Sequence, residues 1–214
     1  MERTYAFVDL AGFSALTEAH GDPAAADLVE RFTDLVDQTL AGDAQRVRTI
    51  GDAVFLVALE PSAALRTLDR LWAKADASDS FPVLRAGLHH GEAVQRGSDY
   101  FGNAVNIAAR VTALAAGGQV LATNQIAEIA RSGGRAVTAF GKVELKNLRN
   151  QMELYAIDFR SSHHPAQEVD PVCRMRVNPE TAAAHVRHGD ADHYFCSPDC
   201  ARTFLASLSP SSSS

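Results

Sequence analysis

The stretch Val47-Arg48-Thr49-Ile50-Gly51-Asp52-Ala53-Val54-Phe55-Leu56 constrains this chain more than any other. Two apolar, β-prone runs, 47–50 and 53–58, flank the dipeptide Gly51-Asp52. A two-residue hairpin turn needs such a pair, because glycine takes positive φ without steric cost. A carboxylate is thereby fixed at a strand end. A second one, Asp9, closes the apolar run Tyr5-Ala6-Phe7-Val8 and precedes Leu10-Ala11-Gly12-Phe13-Ser14. Two strand-end carboxylates near glycines can share a divalent cation if the fold brings the ends together.

Around this hairpin, helix and strand signals alternate irregularly. Asp22-Pro23 supplies an N-cap and a first-turn proline, Leu28, Phe32, Leu35, Val36 and Leu40 follow at helical spacing, and Gly42 is the expected stop. Pro61-Ser62 opens a second helix with Leu65, Leu68 and Trp72 on one face, and 82–88 reads as a strand. A polar loop is expected from Gln95 to Asp99, a helix from Asn103 to Ala116 and a short strand at 119–122. Thr123 is expected to cap a brief helix, and strands are expected at 136–140, 143–145 and 153–157. Hairpins mixed with helices predict an α+β fold, a ferredoxin-like α/β sandwich, rather than a regular doubly wound sheet. The polar break near 160–165 divides a domain at 1–160 from a linker at 161–168 and a small module at 169–208, with a serine-rich disordered tail at 209–214.

A chain of 214 residues with 46% hydrophobic and 21% charged content supports one sizeable core plus an appendage. Its net charge of −6 argues against nucleic-acid or anionic-membrane partners, which are met by basic excess. Without a signal-peptide pattern or a run of about 18 apolar residues, the expected location is the cytoplasm. All three cysteines, Cys173, Cys196 and Cys200, lie in the last fifth of the chain. An odd cluster in such a compartment favours metal or redox chemistry over a disulfide framework.

On the helix from Asn103, Asn106 and Arg110 are one turn apart on the same face and can hold a sugar and a phosphate together. With these in place, four segments carry a resemblance: Phe7-Val8-Asp9-Leu10-Ala11-Gly12-Phe13-Ser14, Arg48-Thr49-Ile50-Gly51-Asp52, Arg85-Ala86-Gly87-Leu88-His89-His90-Gly91 and the run from Asp99 to Arg110. Over residues 4–158 the chain resembles the class III adenylate/guanylate cyclase catalytic domain. The resemblance implies that Asp9, Asp52 and the Leu10 carbonyl hold two Mg²⁺ or Mn²⁺ ions. It further implies that Phe13 and Ser14 present backbone N–H groups to phosphate, that Arg85 and Lys146 contact the triphosphate, that Asn106 orients the ribose and that Arg110 steadies charge at the α-phosphate. Hard cations and carboxylates suit each other, and two ions about 3.5–4 Å apart suit an in-line displacement.

Asp99 matches the family's adenine-reading aspartate, whereas Arg48 stands where adenylate cyclases usually carry lysine. A forked, planar guanidinium is not equivalent to an ammonium. The resemblance therefore implies ATP as substrate, with GTP kept open by Arg48. A nucleotide-binding, sensing dimer with little turnover is the rival class. In this family the metal aspartates and the Asn/Arg pair meet across subunits, so a head-to-tail homodimer is implied.

The segments Asp170-Pro171-Val172-Cys173-Arg174-Met175 and Tyr194-Phe195-Cys196-Ser197-Pro198-Asp199-Cys200, with Phe204, resemble the YHS domain over about 168–208. Arg174 stands where that family often has glycine. Cys173, Cys196 and Cys200 would bind zinc, copper or another soft metal. His185, His188 or His193 would supply the fourth ligand, with water or an open position as the alternative. His20, His89 and His90 read as structural or exposed.

Overall fold

The computed structural model describes residues 1–78, 80–145, 151–159 and 167–208. Strand β1 (Glu2–Leu10) leads to helix α1 (Phe13–Asp37), the hairpin β2 (Ala44–Ile50) and β3 (Ala53–Ala58), helix α2 (Pro61–Asp76) and strand β4 (Leu84–Glu92). A small hairpin follows, β5 (Val94–Arg96) and β6 (Asp99–Phe101), then helix α3 (Asn103–Leu114), strand β7 (Val120–Thr123) and helix α4 (Asn124–Ser132). Strands β8 (Val137–Val143) and β9 (Met152–Ile157) complete a seven-stranded sheet in the order β2-β3-β1-β4-β7-β9-β8. Only the β4–β7 pairing is parallel. The first four strands and two helices form the βαββαβ unit with neighbours β2-β3-β1-β4, which is the expected ferredoxin-like arrangement.

Strand periodicity distributes β1 between two faces. Ala6, Val8 and Leu10 join Leu28, Phe32, Leu68 and Trp72 beneath α1 and α2, while Tyr5 and Phe7 join Phe55, Val105 and Ala108 beneath α3. Asp9, the next odd position, lies on the α3 side by the same alternation. Phe7 and Phe55 stack across the β1–β3 ladder with ring centroids 4.6 Å apart. Helix α3 packs closely on β4 at Gly87, where there is no side chain. A methyl group there would stand 2.1 Å from the Thr112 backbone nitrogen. The Thr112 hydroxyl is 2.9 Å from the Ala108 carbonyl oxygen and 3.3 Å from that of Phe7.

Several local expectations need correction. Helix α1 starts at Phe13, and Gly21 (φ 82°, ψ 163°) breaks it into two segments. The Asp22-Pro23 signal marks only the second segment, which stops at Gln38 rather than at Gly42. There Arg70 Nε donates to the Thr39 carbonyl, so the chain turns under tertiary control. The polar stretch 95–99 is not a loop but the body of the β5–β6 hairpin, turned at Gly97 (φ 61°). The two strands expected at 136–140 and 143–145 are one strand, β8, with a register shift between Ala139 and Gly141. Thr123 makes no capping bond; its hydroxyl hydrogen-bonds His89 Nδ1 at 3.0 Å instead.

The C-terminal segment is built from the two-residue strands β10 (Glu168–Val169) and β11 (Arg176–Val177), the hairpin β12 (Ala184–His188) and β13 (Ala191–Phe195), and helix α5 (Pro198–Leu208). Its apolar residues Cys173, Phe195, Cys200 and Ala201 join the main core cluster. Val83 N–H donates to the Arg174 carbonyl and Arg176 N–H to the Phe81 carbonyl, each at 3.1 Å. The half-buried Arg176 side chain pairs with Asp76 and reaches the Ala75 carbonyl at 3.3 Å, placing a cation at the C-terminus of α2. No helix among the described residues is long and apolar enough to cross a membrane.

Candidate functional site

Antiparallel register brings the two opening carboxylates together. Ile50 pairs with Ala53, leaving Gly51 (φ 61°) and Asp52 as the turn, and Asp9 pairs with Ala53 on the other side of β3. The Leu10 N–H donates to the Asp52 carbonyl at 3.4 Å, tying the turn to the end of β1. Burial and the adjacent Asp9 carboxylate push the Asp52 carboxyl up to about 7. Asp9 itself is buried, and its Oδ1 has no hydrogen-bond partner among the described residues. Two crowded carboxylates with an unsatisfied inward oxygen form a donor set that fits hard divalent cations.

A protein cation takes up part of this charge. Arg85 stands opposite Asp9 in the β1–β4 ladder and its Nε donates to Asp9 Oδ2 at 2.8 Å. The base-reading candidates are also paired with each other: Arg48 Nη1 donates to Asp99 Oδ2. Arg48 lies over the Phe55 ring, its guanidinium carbon 5.4 Å from the centroid. The β5–β6 hairpin delivers Asp99, whose Oδ1 accepts the Tyr100 N–H at 2.8 Å.

Helix α3 carries Asn106 exposed and Arg110 half-buried. Arg110 Nη1 is buried with no partner among the described residues, which leaves a guanidinium donor unsatisfied. At the N-terminus of α1, Phe13 and Ser14 follow Gly12, whose φ of 76° starts the helix and whose carbonyl accepts the Leu16 N–H at 3.0 Å. The first N–H groups of a helix have no intrahelical acceptor and suit an anion. Lys146 lies outside the described residues.

In the C-terminal segment, buried Asp170 organises the thiols. Its Oδ1 accepts the Val172 N–H at 2.8 Å and the Cys173 N–H at 3.3 Å, and its Oδ2 accepts the Cys196 N–H at 2.9 Å. Arg174 adopts φ 62°, a left-handed conformation that a glycine would take at no cost. Cys173 Sγ is 3.3 Å from Cys196 Sγ, which is 3.8 Å from Cys200 Sγ.

The fourth group beside these thiols is not from the tail. His185 bonds Asp192 at 2.8 Å and stacks on Tyr194, while His188 and His193 lie against Phe204. His20, expected to be structural or exposed, points Nε2 at Cys196 Sγ at 3.4 Å and at Cys200 Sγ at 3.8 Å. Nothing local in the sequence announces this, since the partners are 176 and 180 residues apart along the chain. His89 and His90 do have structural roles, with His90 Nδ1 2.8 Å from the Thr4 hydroxyl.

Comparison with known proteins identifies the family of the fold that carries these residues. Residues 2–158 match the adenylate and guanylate cyclase catalytic domain. The pH-sensitive adenylate cyclase MT1302 of Mycobacterium tuberculosis is 35% identical over 158 residues, covering 72% of this chain and 40% of that protein. An adenylate cyclase of Streptomyces griseus is 36% identical over 132 residues, 59% of this chain and 32% of that protein. The chain thus spans well under half the length of these relatives. In fold it is similar to a Trypanosoma brucei adenylate cyclase solved in its monomeric state, with a TM-score of 0.68 at 21% identity over 83% of this chain and 93% of that one. The chain therefore belongs to the adenylate and guanylate cyclase catalytic domain family.

Proposed function

We propose that this protein is an adenylate cyclase, converting ATP to 3′,5′-cyclic AMP and pyrophosphate at sites shared by two head-to-tail copies. The observation that carries this reading is the crowded pair Asp9 and Asp52, with one buried oxygen unsatisfied and one carboxyl raised to about 7. Relatives named adenylate cyclase at 35% and 36% identity support ATP as the nucleotide.

Asp9, Asp52 and the Leu10 carbonyl would hold two Mg²⁺ or Mn²⁺ ions. When bound, such ions ease ionisation of the ribose 3′-hydroxyl and neutralise triphosphate charge. The chain's own groups do the rest. The free N–H groups at Phe13 and Ser14 receive phosphate oxygens. Arg85 moves from Asp9 to the β- and γ-phosphates, where Lys146 joins it. Asn106 holds the ribose so that its 3′-oxygen attacks the α-phosphorus in line, expelling pyrophosphate. Arg110, through the donor it leaves unpaired, stabilises charge growing on the α-phosphate, a contact typically worth about 3 kcal/mol. Asp99 accepts from the adenine amine and Arg48 donates to a ring nitrogen, once their mutual ion pair opens.

That ion pair favours a second reading, in which the base pocket is unset and the chain uses GTP or turns over slowly. Residues 169–208 are read as a YHS-type module whose Cys173, Cys196 and Cys200 hold a soft metal and modulate output. The deciding experiment offers ATP and GTP separately with Mn²⁺ or Mg²⁺, beside an Asp52→Ala control. Cyclic AMP from ATP that the control lacks supports the cyclase; product surviving in the control refutes the carboxylate assignment. Specific activity that does not rise with protein concentration refutes the shared sites.

A further inference from the structure

Tetrahedral zinc with Zn–S of about 2.3 Å and Zn–N of about 2.0–2.1 Å places its sulfurs about 3.8 Å apart and its nitrogen about 3.6 Å from each sulfur. The separations of 3.3, 3.8, 3.4 and 3.8 Å among Cys173, Cys196, Cys200 and His20 lie close to those edges. All four donor atoms fall within 4.8 Å of one another, an arrangement that Asp170 braces through three backbone N–H groups. Cys173 and Cys200 are fully buried, and half-buried Cys196 lines a cavity of about 370 Å³.

We infer that His20 completes a four-ligand soft-metal site with Cys173, Cys196 and Cys200, zinc being the preferred ion, so that the ion bolts the C-terminal segment to helix α1. Three ligands come from the tail and one from the catalytic body. The position of His20 gives the bolt its meaning. It is the last residue before the Gly21 break, so it ends the short segment 13–20 that Gly12 begins. At a rise of about 1.5 Å per residue, roughly 10 Å of helix separates His20 from the N–H groups of Phe13 and Ser14. The same tail touches the other end of that segment. A Cβ on Gly12 would stand 2.7 Å from Arg174 Cγ, and Arg174 directly follows Cys173.

This rests on reading the three cysteines as soft-metal ligands, and the two ideas fail differently. The full chain is purified with zinc, its metal content is measured, and cobalt is substituted to read coordination from the ligand-field and thiolate charge-transfer bands. One ion per chain with a tetrahedral cobalt spectrum is expected. His20→Ala should keep its far-ultraviolet circular dichroism, weaken zinc binding at least ~100-fold and change the cobalt spectrum, because losing a direct ligand costs more than losing its hydrogen-bond support. His20→Cys should restore tight binding with stronger thiolate bands. Unchanged affinity and spectrum in His20→Ala would overturn the role of His20 while leaving a three-cysteine site. A wild-type chain that takes up neither zinc nor cobalt would overturn both.

Discussion

The carboxylate pair at the hairpin and the thiol cluster in the tail are both potential cation sites, yet the fold builds them in opposite ways. Asp9 and Asp52 are placed by strand register, and the backbone holds them together against their repulsion. Burial raises one carboxyl, and Arg85 offsets the other. The thiols, by contrast, come from three separate places, a turn for Cys173, the residue after β13 for Cys196 and the first turn of α5 for Cys200, their spacing close to a coordination tetrahedron. Where a hydrogen-bond ladder fixes a site, the backbone sets the ligand spacing; where the ligands come from separate pieces of chain, an ion that binds them contributes to folding.

Removing the hairpin carboxylate is the strongest test of this contrast. Asp52→Ala should lower cyclase rate on the order of 1000-fold or more. Because the folded state disfavours its charge, the variant should also melt about 2–4 °C higher without divalent cations, a gain of ~1 kcal/mol after solvent screening. A parallel scanning-calorimetry and activity measurement checks both, and a fall in melting temperature would erase the difference between the sites.

Stripping soft metal should act the other way. At metal about 1000-fold above its dissociation constant the ion contributes ~4 kcal/mol, so a thiol-selective chelator should lower the melting temperature by roughly 10 °C. No shift on chelation would make the tail as self-sufficient as the hairpin.

Arg110→Ala should lower kcat about 100-fold with a smaller change in KM, as expected of a contact made mainly in the transition state. Equal changes in both would make it a ground-state binding group.

A smaller effect concerns the frame. Burial, aided by His90, holds His89 down at about 4 against an ordinary 6.5. The folded chain keeps it neutral, so its contribution is complete above pH ~6.5, declines as pH falls toward ~4 and is level below, with a ceiling of ~3 kcal/mol. Denaturation of wild type and His89→Gln at pH 7 and 4.5 measures the difference between the two slopes.

The smallest expected effect is at the base. Arg48→Lys should raise the preference for ATP over GTP several-fold, about 1 kcal/mol, read as the ratio of kcat/KM values. An unchanged ratio would confine Arg48 to its pairing with Asp99.

The hairpin site was legible because its determinants are local: a glycine at positive φ and two β-prone runs leave one register for Asp52. The βαββαβ unit followed from the same short-range signals. What escaped was tertiary. The gap expected between strands at 136–140 and 143–145 contains Gly141, and only pairing with β9 distinguishes a register shift within one strand from a break. The Arg48–Asp99 ion pair needs the β5–β6 hairpin, whose three-residue strands are too short to show alternation. His20 carries no local signal as a ligand, since docking of the tail against α1 has no signature in either segment alone.

The first segment of α1 has one further consequence. If its Phe13 end receives phosphate and its His20 end receives a metal, the two ligands share one rigid body of about 10 Å. Thermodynamic linkage then makes them accountable to each other. Whatever factor the metal applies to nucleotide affinity, the nucleotide applies to metal affinity. The chain would report nucleotide supply through its metal occupancy as faithfully as it reports metal through its turnover.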